Sequence, residues 1–243
     1  MTHPIIEALQ VNEAQFVALR RRFHQQPEIG FEEHKTSEEV ARLLGEWGYQ
    51  VHRGLAGTGV VGTLRAGDGQ KRLGLRADMD ALPMHEMSGK AWASQIEGRF
   101  HGCGHDGHTA IGLGLAHVLK EYAAQLNGTI KLIFQPAEEG TRGARAMVAA
   151  GVLDDVDYFT AIHIGTGVPA GTVVCGGDNF MATTKFDVQF SGVAAHAGGK
   201  PEDGRNALLA AAQAALALHA IAPHSAGASR VNVGVMQAGT GRN

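Results

Sequence analysis

From residue 59 to residue 164, short apolar runs alternate with helical patterns, and few architectures accept that order. Gly59–Leu64 and Arg72–Leu75 read as strands between glycine-rich turns, with Gln50–His52 ahead of them. A helix is expected from His105 to about Ala123, with Ile111, Leu115, Val118 and Leu119 on one face. Thr129–Phe134 (TIKLIF) has strand length, residues 142–150 suit a helix, and Tyr158–Ile164 suits another strand. Strand, helix, strand, helix, strand predicts an α/β chain whose sheet is at least partly parallel and covered by helices. Ligands in such sheets bind beyond the carboxyl ends of the strands. Chemistry is therefore expected at those ends.

Two helices precede this block. Residues 5–22 carry Ile5, Ile6, Leu9, Phe16 and Leu19. Residues 36–47 place Val40, Leu43, Leu44 and Trp47 at i, i+3, i+4 and i+7, with Thr36 and Ser37 as candidate caps and Glu38 and Glu39 in the first turn. After about residue 180 the texture changes. Thr184–Ser191 alternates as a half-buried strand, with Phe186, Val188 and Phe190 on one face. Arg205–Ile221 is an alanine- and leucine-rich helix, and Val231–Met236 reads as a strand. Residues 1–182 are expected to form one domain, and residues 183–243 the start of a second, α+β domain.

Composition excludes several classes of function. The 243 residues carry a formal charge of −3 and no Lys/Arg cluster, which argues against a nucleic-acid partner. No run approaches ~18 apolar residues, so no membrane span is expected. Met1–Arg22 reads as an amphipathic helix and not as a secretory signal. Cys103 and Cys175 are too few for a disulfide scaffold, so a cytoplasmic location is expected. The 34 glycines fall at the ends of apolar runs and suit tight turns.

Chemistry concentrates in five segments. His101-Gly-Cys-Gly-His-Asp-Gly-His108 packs three histidines, a cysteine and an aspartate into eight residues ahead of a helix. Histidine and thiolate are preferred ligands of zinc and related metals, and the helix N-terminus favours a thiolate at Cys103. A polar loop with capping histidines is the alternative. Gln135-Pro-Ala-Glu-Glu-Gly140 follows a strand directly. One of its acids could ligate a metal while the other serves as a base, and taken alone a solvated turn explains it equally well. His163 ends the Tyr158–Ile162 run and gains weight only from its neighbours at equivalent strand ends. Asp78 and Asp80 either orient a histidine ligand or simply terminate a strand. His196 lies among small residues, followed by Pro201–Asn206, where a substrate has room to approach.

In this order the segments RRFHQQPEIGFEE (Arg21–Glu33), LRADMDALP, HGCGHDGH, FQPAEEG, AIHIG and the AAHAG loop resemble the metallopeptidase family of aminoacylases and carboxypeptidases, in its hippurate-hydrolase branch. The resemblance implies a sheet-and-helix catalytic domain with an inserted α+β lid and dimerisation domain, incomplete here. It implies metal-dependent hydrolysis of N-acyl or N-aroyl amino acids, hippurate-like or p-aminobenzoyl-glutamate-like, by a metal-activated water. It makes Cys103, His105, Glu139 and His163 the ligands of two divalent ions, manganese or zinc with cobalt also accepted. It makes Glu138 the general base and Asp80 the supporting acid, and excludes His101 and His108 from the ligand set. On the substrate side it implies His196, stabilising the oxyanion across a dimer, together with Asn206. Relatives continue through the lid and return to supply one more histidine, so the chain reads as the first half to two thirds of such an enzyme. A homodimer, or a heteromer with a related chain through the lid, is the implied assembly. The rival readings are a dependent subunit or inactive fragment, a structural metal protein, and a cysteine-nucleophile enzyme.

Overall fold

The computed structural model describes residues 3–140, 142–175 and 182–239. The chain divides into two compact units, Met1–Ala170 and Gly171–Asn243. Among the described residues the first holds four α-helices, α1 (Pro4–Gln25), α2 (His34–Glu46), α3 (His105–Glu121) and α4 (Gly143–Ala149). Its five strands are β1 (Gln50–Leu55), β2 (Gly59–Ala66), β3 (Arg72–Asp78), β4 (Gly128–Gln135) and β5 (Tyr158–Ala161).

The strands form one mixed sheet in the order β1-β2-β4-β3-β5. β1 and β2 pair antiparallel, as do β2 and β4, while β3 runs parallel to both β4 and β5. Successive side chains on a strand point to opposite faces, so each strand serves two layers. Val60, Leu132 and Phe134 join Leu19, Phe23, Val40, Leu44 and Leu113 beneath α1, α2 and α3. Their neighbours Val61 and Ile133 face the other way and meet Met147 and Val152 beside α4. Gly112 lets α3 lie close to the sheet, since a Cβ there would meet the Phe134 ring at 3.0 Å.

Local details differ from the pattern. The cap of α2 is Glu33, and Thr36 and Ser37, expected as caps, are buried inside the helix. Thr36 is held there by Glu28, whose Oε2 accepts from both its backbone N–H and its hydroxyl at 2.9 Å. In α3 the core face is carried by Leu113, Ala116, Val118 and Leu119, and Ile111 is exposed. β5 ends at Ala161, which leaves His163 two residues beyond the strand.

The second unit departs further. Its helix forms as α5 (Ala207–His219), where the Asn206 side chain accepts from Leu208 N–H at 3.0 Å. An antiparallel bridge joins Val193 to Arg205. The expected strands at 184–191 and 231–236 do not form among the described residues. Phe186 and Val188, expected to be half-buried, are 63% and 57% exposed. Alternation prepares a strand, but the ladder needs a neighbouring backbone, and the described residues of this unit offer none. Among the described residues no helix is long and apolar enough to cross a membrane.

Candidate metal centre

The carboxyl ends of β3, β4 and β5 point the same way, and three of the chemistry-bearing segments follow them directly. A fourth leads into α3. Gly104 makes that entry with φ +85°, a left-handed conformation that glycine adopts freely. The turn sets Cys103 before the helix and His105 on its first position.

His105 is fully buried. Its Nδ1 lies 2.8 Å from the Asp80 carbonyl and 3.2 Å from Asp80 Oδ1, both acceptors, so Nδ1 carries the proton. That leaves the Nε2 lone pair, which has no hydrogen-bond partner among the described residues. A buried acceptor left unpaired is costly, and such groups need a reason. Around it stand Glu138 Oε2 at 3.9 Å and Glu139 Oε1 at 4.0 Å. Donor atoms of Cys103, His105 and Glu139 all fall within 4.8 Å of one another. Cys103 Sγ also lies 3.5 Å from His163 Nε2. The His163 Nδ1 donates to the Ile164 carbonyl at 2.8 Å, so its Nε2 too is left as a lone pair. Cys103, His105 and Glu139 therefore cluster, and His163 adjoins them through Cys103 while its own donor groups with His105, His108 and Asp78.

Asp80 ties two of them together. Beside its contact with His105, its Oδ2 accepts from Glu139 N–H at 2.8 Å. Burial alone would raise the Asp80 carboxyl. The hydrogen bonds from His105 and from the backbone of Glu139 and Glu138 outweigh that and hold it below the usual carboxylate range. Cys103 moves the other way. Burial first, then Glu139, Glu138 and Asp78, push its thiol up to about 12. A pocket of this polarity is starved of positive charge, and sulfur, imidazole nitrogen and carboxylate together suit zinc, manganese or cobalt. The residues present fit a divalent cation.

The sequence fits the same conclusion at the level of ancestry. A model of peptidase family M20/M25/M40 matches residues 74–237. The chain belongs to this family. It is 62% identical to a p-aminobenzoyl-glutamate hydrolase subunit of Escherichia coli, a match covering 92% of this chain and 62% of that protein. It is 60% identical to indole-3-acetyl-aspartic acid hydrolase of Enterobacter agglomerans, with the same coverage. The crystal structure of an aminobenzoyl-glutamate utilization protein from Klebsiella pneumoniae superposes with a TM-score of 0.81 at 58% identity, over 99% of this chain and 66% of that one. The M20 chain thus spans about 62% of the length of these curated relatives.

The other expected site residues of this M20 chain lie in the second unit. His196 is exposed, and its Nδ1 accepts from Gly198 and Gly199 N–H at 3.1 and 3.0 Å. Its ring proton then sits on Nε2. Asn206 has its side-chain oxygen engaged as the α5 cap.

One contributor closes the Arg21–Glu33 segment without a role in the expected site. Glu33 is fully buried, and its carboxylate accepts from Thr58 Oγ1 at 2.6 Å and from Ala137 N–H at 2.8 Å. Ala137 turns the chain from β4 into Glu138 and Glu139 with φ +53°, a strained conformation for a residue with a Cβ. Glu33 thus pins the turn that presents both acids. It makes no ion pair among the described residues, and burial raises its carboxyl above the usual range. Its partner lies 104 residues away, so no local pattern announces it.

Proposed function

We propose that this chain is the metal-binding part of an amidohydrolase that releases an amino acid from N-acyl or N-aroyl conjugates, with an acidic amino acid as the preferred leaving group. The observation that carries the reading is the buried, unpaired Nε2 of His105 facing Cys103, Glu139 and Glu138. The substrate class rests on two relatives, whose names give glutamate and aspartate conjugates.

Cys103, His105, Glu139 and His163 would hold two divalent ions, zinc or manganese with cobalt as a substitute. Bound there, the ions supply a Lewis acid and a water whose pKa falls to roughly 7. Glu138 is the more exposed of the paired acids, with its side chain 41% exposed against 23% for Glu139. On this reading it takes a proton from the attacking water and returns it to the leaving amine. Asp80 orients His105 and anchors Glu139, and so keeps base and ligands in register. His196, with its proton on Nε2, has the donor form needed to stabilise an oxyanion, an interaction typically worth about 2.7–4 kcal/mol. We assign the first unit to catalysis and the second to the beginning of a lid.

The test is metal titration of this chain, followed by assays on p-aminobenzoyl-glutamate, indole-acetyl-aspartate and N-benzoylglycine. Wild type should bind divalent ions, and Cys103→Ala and His105→Ala should not. Unchanged metal content in both variants would reject the centre. Glu138→Gln should keep its metal and lose about 100-fold or more in turnover. Faster cleavage of N-benzoylglycine than of the acidic conjugates would overturn the leaving-group preference. A second reading is that the chain depends on a related partner chain. It is favoured by the Escherichia coli relative, which is one subunit of its hydrolase by name. Metal binding without turnover until such a partner is added would select it.

A further inference from the structure

The third histidine of the HGCGHDGH run is not part of the ligand set proposed above, yet it sits among the donors. Asp78, His105, His108 and His163 present donor atoms within 4.8 Å of one another, and on distance alone they make a second candidate cation group. Hydrogen bonding decides otherwise. The backbone N–H of Ile164 points at His108 Nε2 at 2.8 Å, so Nε2 must be an acceptor. The proton then lies on Nδ1, which donates to Asp78 Oδ1 at 2.6 Å. Arg76 Nη1 forms an ion pair with the other carboxylate oxygen, Asp78 Oδ2, at 2.8 Å, without a hydrogen bond, and that oxygen also lies 3.5 Å from His105 Nε2. Both ring nitrogens of His108 are committed, and its lone pair is spent on a peptide group.

That peptide group belongs to the residue after His163. β5 is an exposed edge strand, and Ile162 and Ile164 are 45% and 46% exposed. A ligand on such a segment has little packing to hold it. The Ile164 side chain leans over the first turn of α3, where a Cβ on Gly104 or Gly107 would meet it at 3.1 or 2.6 Å. The buried ring of His108 stacks on His105, with centroids 5.3 Å apart at 29°, and meets His163 edge-on at 4.6 Å.

We infer that Arg76, Asp78 and His108 form a clamp that locks the exposed His163 segment onto the buried end of α3, and that His108 is a positioning residue and not a ligand. The inference rests on the metal centre proposed above. Outer partners of ligands typically change metal affinity by about 10–100-fold when removed, and His108 acts at that level through the peptide next to a ligand.

Two measurements on the full chain test it. Long-range nitrogen–proton NMR of labelled histidines reads the tautomer without any substitution. His108 should show a protonated Nδ1 and a bare Nε2, unchanged when zinc is added, while His105 and His163 respond. A His108 Nε2 that takes on the signature of a zinc-bound nitrogen overturns the clamp. Cobalt titration then compares His108→Ala, His108→Gln and His163→Ala. The glutamine carbonyl can accept from Ile164 N–H, so His108→Gln should recover most of an affinity that His108→Ala lowers about 10–100-fold. His108→Gln as damaged as His163→Ala, or His108→Ala indistinguishable from wild type, would each reject it. Melting of the metal-free proteins separates lost folding from lost positioning, and if His108→Ala does not fold, the glutamine variant and the spectrum decide. Wild type that fails to bind cobalt rejects the metal centre itself, and the tautomer still reports on the clamp.

Discussion

Val60 and Val188 both sit on runs that read as strands, yet one is fully buried and the other is 57% exposed. The same contrast separates Leu44, fully buried on α2, from Leu216, 74% exposed on α5. Composition does not distinguish these pairs. Neighbours do. In the first unit each strand finds a ladder on at least one side, and helices cover both faces of the sheet. In the second unit the described residues supply an α-helix and two isolated bridges but no sheet for the alternating runs to join. Periodicity is a statement about which face would be buried, and it becomes structure only when something arrives to bury it.

The largest test of this contrast is Phe134→Ala. Phe134 lies against α3 at the centre of the larger core, and its truncation should cost about 3–5 kcal/mol, read as a shift in the urea midpoint. A cost below about 1 kcal/mol would erase the distinction between the units. Glu33→Ala should come next. It strands the Ala137 N–H and the Thr58 hydroxyl in a buried place, at about 1–3 kcal/mol, whereas Glu33→Gln can still bond both and should stay near wild type. Equal losses would mean that the charge, not the hydrogen bonding, matters there.

A pH-dependent effect follows from His24. Its Nδ1 lies 2.7 Å from Asp106 Oδ2 and its Nε2 3.3 Å from Glu86 Oε1, with Arg20 Nε also on Asp106 at 2.6 Å. The hydrogen bond to Asp106 raises the ring above its ordinary 6.5, against burial, and the charges of Asp106 and Glu86 add to it. A raised value means that the imidazolium stabilises the fold. The contribution is complete below pH 6.5 and fades as pH climbs through the folded value. Burial would raise both acids, but the His24 hydrogen bond with the charges of His101 and Arg20 holds Asp106 below its ordinary value, and the Ser88 hydroxyl and Ser94 N–H, ahead of His24, do the same for Glu86, so their share is lost on acidification. The gap in stability between wild type and His24→Gln should therefore be widest near pH 6 and narrow above it. A gap that widens toward pH 8 would contradict the ion pair. The smallest expected effect is Phe186→Ser in the second unit, within about 0.5 kcal/mol. A loss as large as that of Phe134→Ala would reveal that this unit buries the run after all.

Much of the first unit was legible because its signals are local. The TIKLIF run, the glycine-flanked strands and the helix after HGCGHDGH depend on neighbours a few residues away. The candidate donors stood out because cysteine, histidine and paired acids at successive strand ends have few other uses, and the fold brings Cys103, His105 and Glu139 within 4.8 Å of one another. What was not legible depends on contacts across the chain. Ile111 has the right spacing for the core face of α3 yet is exposed, because the sheet is met by Leu113 and Ala116 instead. Glu33 looks like any acid near a helix start until the fold brings Ala137 to it. His108 and His105 are separated in the sequence only by the family resemblance, and in the fold the Ile164 peptide takes the His108 lone pair that His105 keeps free.

The two oxygens of Asp80 have a kinetic consequence. One meets a residue 25 positions on and the other a residue 59 positions on, so the centre is assembled by closing two loops of unequal length onto a single carboxylate. Long-range closures of this kind, joined to parallel strand crossovers, come late and set the pace of folding. A refolding chain offered metal at different delays should therefore be blind to it early and capture it only after β3 and β4 have docked. The ion would report the moment at which the topology is complete.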